Sequence, residues 1–228
     1  MISTNSRRGR AALMAGHCAG MVDLVALPVW VGTLISAYRF DPQQAGLMAT
    51  LFLAGAVLAS LLLAPRFNRL NGRLVATLGF GAAALGFGIA SMTKDFATLA
   101  ALHALAGIAA GAALSVTHGT IARSANPHRL FAIVGIALGV FAIAFLGATP
   151  QLVAAAGGPA LFRVFAGVMV VGAVMAALAF PVPDALGEGH ALGAPAGPLS
   201  RAVVRCGRRG LHGSDSVNDL QLSRARGH

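Results

Sequence analysis

The stretch AGLMATLFLAGAVLASLLLA, Ala45–Ala64, runs straight into PRFNRLNGR, Pro65–Arg73, and that junction decides the fold class. As a helix the first part is long enough to cross a hydrocarbon core of about 30 Å. It carries no charge and no period-two alternation, so a half-polar strand is excluded. A segment in lipid must pair its own backbone N–H and C=O groups, which leaves a helix. Arg66, Arg69 and Arg73 then follow within nine residues, and short loops rich in arginine stay on the cytoplasmic side.

Five more apolar segments have comparable length: Ala11–Ala37, Leu74–Met92, Phe96–Ala122, Leu130–Thr149 and Ala160–Phe180. If each crosses once, 14 of the 17 Lys and Arg residues fall on one side. Arg7, Arg8 and Arg10 precede the first span, Arg123 and Arg129 join the fourth to the fifth, and six arginines follow the sixth. Only Arg39, Lys94 and Arg163 fall opposite. The expectation is an all-α, multi-pass membrane protein of six transmembrane helices. Both termini should be cytoplasmic, in a cell membrane of the bacterial cytoplasmic type.

Composition agrees. Charged residues make up 11% of the 228, against about 25% in soluble domains. The net charge of +10 does not point to nucleic acid, because the arginines cluster at segment ends, where they meet headgroups, and not on one soluble face. Cys18 and Cys206 have no metal-binding spacing, and no metal or cofactor is expected. The first apolar stretch is far longer than a signal-peptide core, so it is retained as a helix.

The boundaries carry their own signals. Asp41-Pro42-Gln43-Gln44 is an N-cap, a first-turn proline and a glutamine placed for a capping box. Asp95 can cap the fourth helix, and Asn126-Pro127 can start the fifth. Small residues recur four apart at Gly55/Ala59, Ala82/Gly86, Ala84/Gly88, Gly107/Gly111 and Gly135/Gly139, a spacing that lets membrane helices approach closely. Pro181 and Pro183 end the last helix, and the bundle is expected over 1–183. Residues 184–228, with six Arg and no Phe, Tyr, Trp, Ile, Met or Lys, read as a disordered basic cytoplasmic tail.

Six helices with cytoplasmic ends and an arginine-rich second loop resemble the N-terminal half of the major facilitator superfamily, over about Ala11 to Phe180. The superfamily's loop motif, G-x-L-x-D-R-x-G-R-R, is met here by Asn68, Arg69, Gly72 and Arg73. Gly72 and Arg73 match its end, while the acidic position falls on Arg69, or on Asn68 with one insertion. The helix-four pattern of proton-driven members, R-x-x-Q-G-x-G-A-A, keeps Gly107 and has His103 at the arginine position.

Family members have twelve helices in two halves, with solute bound between them. The resemblance therefore implies a secondary transporter, not an enzyme, moving a small solute by alternating access, with a proton as possible co-substrate. A second six-helix half, or a homodimer, would complete it. The Gly/Arg/His composition after Phe180 is what out-of-frame translation of a GC-rich gene produces, so a truncated or frameshifted transporter is expected. Its rivals are a genuine half-length protein, a non-transporting fragment or a partner-binding module.

Candidate pathway residues are the polar ones at membrane depth. Asp23 is the acidic residue well inside a span, roughly 18 Å along its axis; a carboxyl there is expensive and marks either a coupling site or an inter-helix hydrogen bond. Trp30 lies seven residues on, beside Pro28, on the same face. It lines a cavity with Asp23 or sits in an interfacial aromatic belt. His103 either exchanges a proton or bonds a neighbouring helix. His17 and His118 lie nearer the cytoplasmic ends, and Arg163 snorkels outward. Gly79–Ala84 matches a dinucleotide fingerprint only as a string, inside a helix. No catalytic constellation is present.

The charge alternation predicts the labelling pattern of single cysteines in a Cys18→Ser, Cys206→Ser background. An impermeant thiol reagent should reach positions beside Arg39, Lys94 and Gly157 from outside. It should reach those beside Asn71 and Asn126 only after permeabilisation; the reverse pattern overturns this orientation.

Overall fold

The computed structural model describes residues 2–182, so the tail expected from 184 onward lies outside the described residues. Among those described, every regular element is helical: α1 (Arg7–Gly20), α2 (Val22–Tyr38), α3 (Pro42–Leu63), a 3₁₀ turn (Ala64–Arg69), α4 (Gly72–Ala90), α5 (Phe96–Ala122), α6 (Pro127–Ala156) and α7 (Pro159–Ala179). Counting α1 and α2 as one, six of them are long and apolar enough to cross a membrane.

The caps form as the sequence indicates at two sites. Asp41 Oδ1 accepts from the Gln44 amide at 2.7 Å and Gln44 Oε1 from the Asp41 amide at 3.2 Å, with Pro42 in the first turn. Asp95 Oδ2 accepts from the amide and hydroxyl of Thr98 at 2.8 and 2.7 Å. Those bonds hold the exposed Asp95 carboxyl below its usual range. The cap is therefore complete above the unfolded-state value and is lost as pH falls through the depressed one. At the third site α6 does begin at Pro127, but the Asn126 side chain makes no capping bond, its backbone sitting at φ −136°, ψ 75°, outside the usual N-cap geometry.

Two boundaries differ from the sequence reading. The fifth span extends to Ala156, where Gly157 ends it at φ 78°, a left-handed conformation that glycine adopts without a Cβ clash. The first span is interrupted. Pro28 removes a backbone bond within this span, yet α2 runs through it unbroken, and the break falls at Met21 (φ −104°, ψ 15°). One proline removes one backbone bond, which a packed membrane helix absorbs. Gly20 favours the helix least of the residues around it, and Asp23, placed in the first turn of α2, suits a new N-terminus.

Large apolar side chains point outward, among them Leu61, Leu85 and Ile143, the reverse of a soluble surface. Without a hydrophobic drive between helices in lipid, cohesion comes from close contact. α5 packs on α3 and α4, and α7 on α4 and α1. At the α3–α5 crossing the backbones nearly touch: a Cβ on Gly107 would run into the Phe52 carbonyl, one on Gly111 into the Ala56 backbone, and one on Gly55 to 2.6 Å from the Ala104 oxygen. Gly79 approaches the Ala109 carbonyl of α5 in the same way. The small-residue spacing thus marks a real crossing at Gly55/Ala59 and Gly107/Gly111. Gly88, Gly135 and Gly139 face open space.

Gly107→Ala is therefore predicted to lower stability by about 1–3 kcal/mol, since the added methyl meets backbone that cannot step aside. Gly139→Ala, in open space, should be neutral or slightly stabilising through helix propensity. Thermal unfolding in detergent reads both, and equal melting temperatures would rule out this crossing.

Candidate functional site

Of the candidate pathway residues, His103 lies on α5, and Asp23 and Trp30 lie on α2. Asp23 sits half-buried in its first turn, with the backbone N–H groups of Asp23 and Leu24 in reach of the carboxylate. The exposed N–H dipoles of a helix start favour an anion by about 0.3–1 kcal/mol, while apolar surroundings oppose it. The carboxyl is held where its charge state is contested.

Trp30 lies about 10 Å further along the same helix and is only 1% exposed. Its indole stacks on the His103 ring of α5, centroids 5.3 Å apart and planes at 22°. Phe52 of α3 and Phe165 of α7 meet the indole edge-on at 5.6 and 5.4 Å. Phe87 and Phe162 close on His103 at 5.9 and 5.3 Å. Edge-to-face ring pairs such as these add about 0.5–1.5 kcal/mol each beyond burial.

His103 Nδ1 lies 2.6 Å from the Leu99 carbonyl oxygen. A carbonyl can only accept, so Nδ1 carries the proton in the neutral ring and Nε2 is a bare acceptor. That Nε2 has no partner, and neither has the Trp30 Nε1–H or the Tyr38 hydroxyl. A buried polar atom left unpaired costs about 1–3 kcal/mol, so a sealed box holding several is unusual. The structure brings Trp30 and His103 together; Asp23 stands two helical turns away from them.

A second polar contact escaped the sequence reading. His17 Nδ1 and His118 Nε2 lie 2.9 Å apart, joining α1 to α5, with Phe131 of α6 edge-on to His118 at 5.8 Å. One ring must donate and the other accept, so the contact requires at least one neutral imidazole. The available signal was that both histidines lie toward the same end of antiparallel spans, but nothing in their spacing pairs them.

The loop motif acts through backbone. Arg73 Nη2 donates to the Ala177 carbonyl near the end of α7, a favourable place for a cation, and Gly72 lets Phe180 approach α4. Arg69 is exposed. Phe67, just before the motif, is seated in the notch left by Gly119 of α5, and the Arg123 guanidinium covers its ring at 4.2 Å. The partner of Arg73 is a backbone carbonyl, not a carboxylate. Arg163, at the opposite end, is exposed.

Trp30 is the one tryptophan in the sequence, so its fluorescence reports this box directly. Acrylamide should quench it hardly at all in the purified protein, and Trp30→Phe should abolish the signal. Strong quenching would mean that the indole faces water and the box is open.

A family model described as Major Facilitator Superfamily matches residues 12–209, reaching past the described helices. Among curated proteins none matches the chain. With six membrane-length helices, their charged loops and a family match over most of its length, this chain belongs to the major facilitator superfamily of transporters.

Proposed function

We propose that the bundle is one half of a proton-coupled secondary transporter, set in a cell membrane with both termini cytoplasmic, that moves a small solute by alternating access. The observation that carries this is the interruption of the first span at Met21 with Asp23 in the first turn beyond it. Transporters of several folds build their sites near the bilayer midplane from discontinuous helices, whose N-terminal dipoles favour negative charge. A carboxyl that gains a proton in one state and releases it in another links solute movement to the proton gradient.

Trp30 and His103 extend the path outward from Asp23. Their unpartnered Nε1–H and Nε2 are the next polar stations along α2. They are sealed in the described state, and rotation of α2 about Gly20–Met21 exposes them to the solute. In that role His103 takes up or hands on a proton through Nε2 while Nδ1 stays bonded to Leu99.

A cavity of this kind needs a second wall. α6 is the least covered of the helices, and Gly135 and Gly139 leave one of its faces open. That face suits close approach by a helix of a second six-helix half, supplied by another chain or by a second copy.

Asp23→Asn tests the coupling, because it keeps size and hydrogen bonding but cannot ionise. In proteoliposomes of the assembled transporter with trapped pyranine, a panel of small solutes identifies one that moves protons. The Asn variant should insert and melt like wild type, lose pH-gradient-driven accumulation of that solute, and retain exchange without a gradient. Normal gradient-driven accumulation by Asp23→Asn would assign Asp23 a structural hydrogen bond instead.

A further inference from the structure

We propose that the seam between α1 and α6 binds one anionic phospholipid, its phosphate held by Arg10 and Arg129 and an acyl chain laid along α6. The site lies at the end of the bundle that carries the arginine-rich loops, and it does not depend on the transport reading.

Its polar part is a small cleft lined by Asn5, Arg10, Ser124, Asn126, Arg129 and Leu130. The two guanidinium groups come from elements far apart in sequence, and among the described residues no carboxylate lines the cleft with them. Arg10 is held in place by the Asn5 carbonyl, which accepts from Nε at 3.1 Å and Nη2 at 2.7 Å. The rest of its five donors remain uncommitted. Arg129 is exposed and forms no hydrogen bond or ion pair with the described residues. Two positive groups facing one cleft, with no acid among the described residues beside them, call for an anion, and a phosphate with several acceptor oxygens can take both.

The apolar part makes that anion a lipid. Ile133, which lines the cleft, also lines a groove of about 470 Å³ with Met14, Ile136, Ala137, Val140 and Phe141. On α6, Arg129, Ile133, Ala137 and Val140 follow one another at helical spacing along one stripe; on α1, Met14 stands one turn beyond Arg10. The cation cleft and the apolar groove therefore adjoin at Ile133, the groove continuing along α6 away from Arg129. Ile136 and Val140, 70% and 64% exposed, have no protein cover there. A free phosphate uses the cleft and leaves the groove empty; a phospholipid fills both. The open Gly135/Gly139 face lies on the opposite side of α6, so lipid and a second half do not compete for one surface.

Native mass spectrometry of the full chain in detergent, titrated with phosphatidylglycerol, phosphatidylcholine of the same acyl chains, or inorganic phosphate, tests this. Phosphatidylglycerol should bind about tenfold more tightly than phosphatidylcholine, and Arg129→Gln should remove about that factor, as expected for one charge-assisted contact. Because Arg129 has no partner among the described residues, its loss should leave the fold intact, which an unchanged melting temperature verifies. Ala137→Trp, which fills the groove, should weaken phosphatidylglycerol to a similar degree. Equal binding of the two lipids, unchanged by Arg129→Gln, overturns the proposal. Displacement of phosphatidylglycerol by inorganic phosphate, with Ala137→Trp silent, reduces the site to a plain anion cleft and also overturns it. So does a Val140→Cys variant that crosslinks between chains in membranes, because the groove is then a protein interface.

Discussion

The crossing of α3 and α5 is the contact on which the rest of the bundle depends. In lipid there is little hydrophobic gain from bringing two apolar helices together, so cohesion rests on how closely their backbones meet. Gly55, Gly107 and Gly111 remove the side chains that would hold α3 and α5 apart. That close approach sets the position of α5, and α5 carries His103, Thr117 and His118 toward the remaining helices. Phe52, whose backbone Gly107 touches, also presents its ring to Trp30. Backbone contact and aromatic box are therefore one piece of geometry.

From that base the structure separates two regions of different character. Around Trp30 and His103 the rings of α2, α3, α4, α5 and α7 interlock, and interlocking rings give a rigid body. At Gly20–Met21 the chain gives up helical geometry in the middle of a span. Gly20 lies against the flexible Leu114 side chain, a neighbour that can yield. This block of rings is joined to α1 through one non-helical residue, with the Asp23 carboxylate in the first turn beyond it. The His17–His118 bond ties α1 to α5 on the other side of the joint, so the two halves of the first span are anchored to the same helix by different chemistry.

In the loop between α3 and α4 the motif's cation meets a dipole and not an acid. At Arg73 the C-terminal end of α7 supplies the negative side of the interaction. A dipole end is a weaker and less switchable partner than an ionised acid. The loop's grip thus rests more on shape, through Phe67 in the Gly119 notch and Phe180 against Gly72.

Much of this was legible in the chain itself. Span number, helical class and the Asp41 and Asp95 caps follow from local composition, because a lipid environment leaves a backbone few choices and a cap needs only neighbours in sequence. That Asp23, Trp30 and His103 lie at membrane depth was also visible, since the span boundaries alone place them there. Their relationship was not. The stacking of Trp30 on His103, the His17–His118 bond, the sorting of small residues into those at crossings and those, such as Gly135 and Gly139, in open space, and the break at Met21 in place of Pro28 all depend on which faces of separate helices meet. Spacing along one helix places a residue on a face, but the partner of that face is chosen by the packing of all six spans together, and only the tertiary structure decides it.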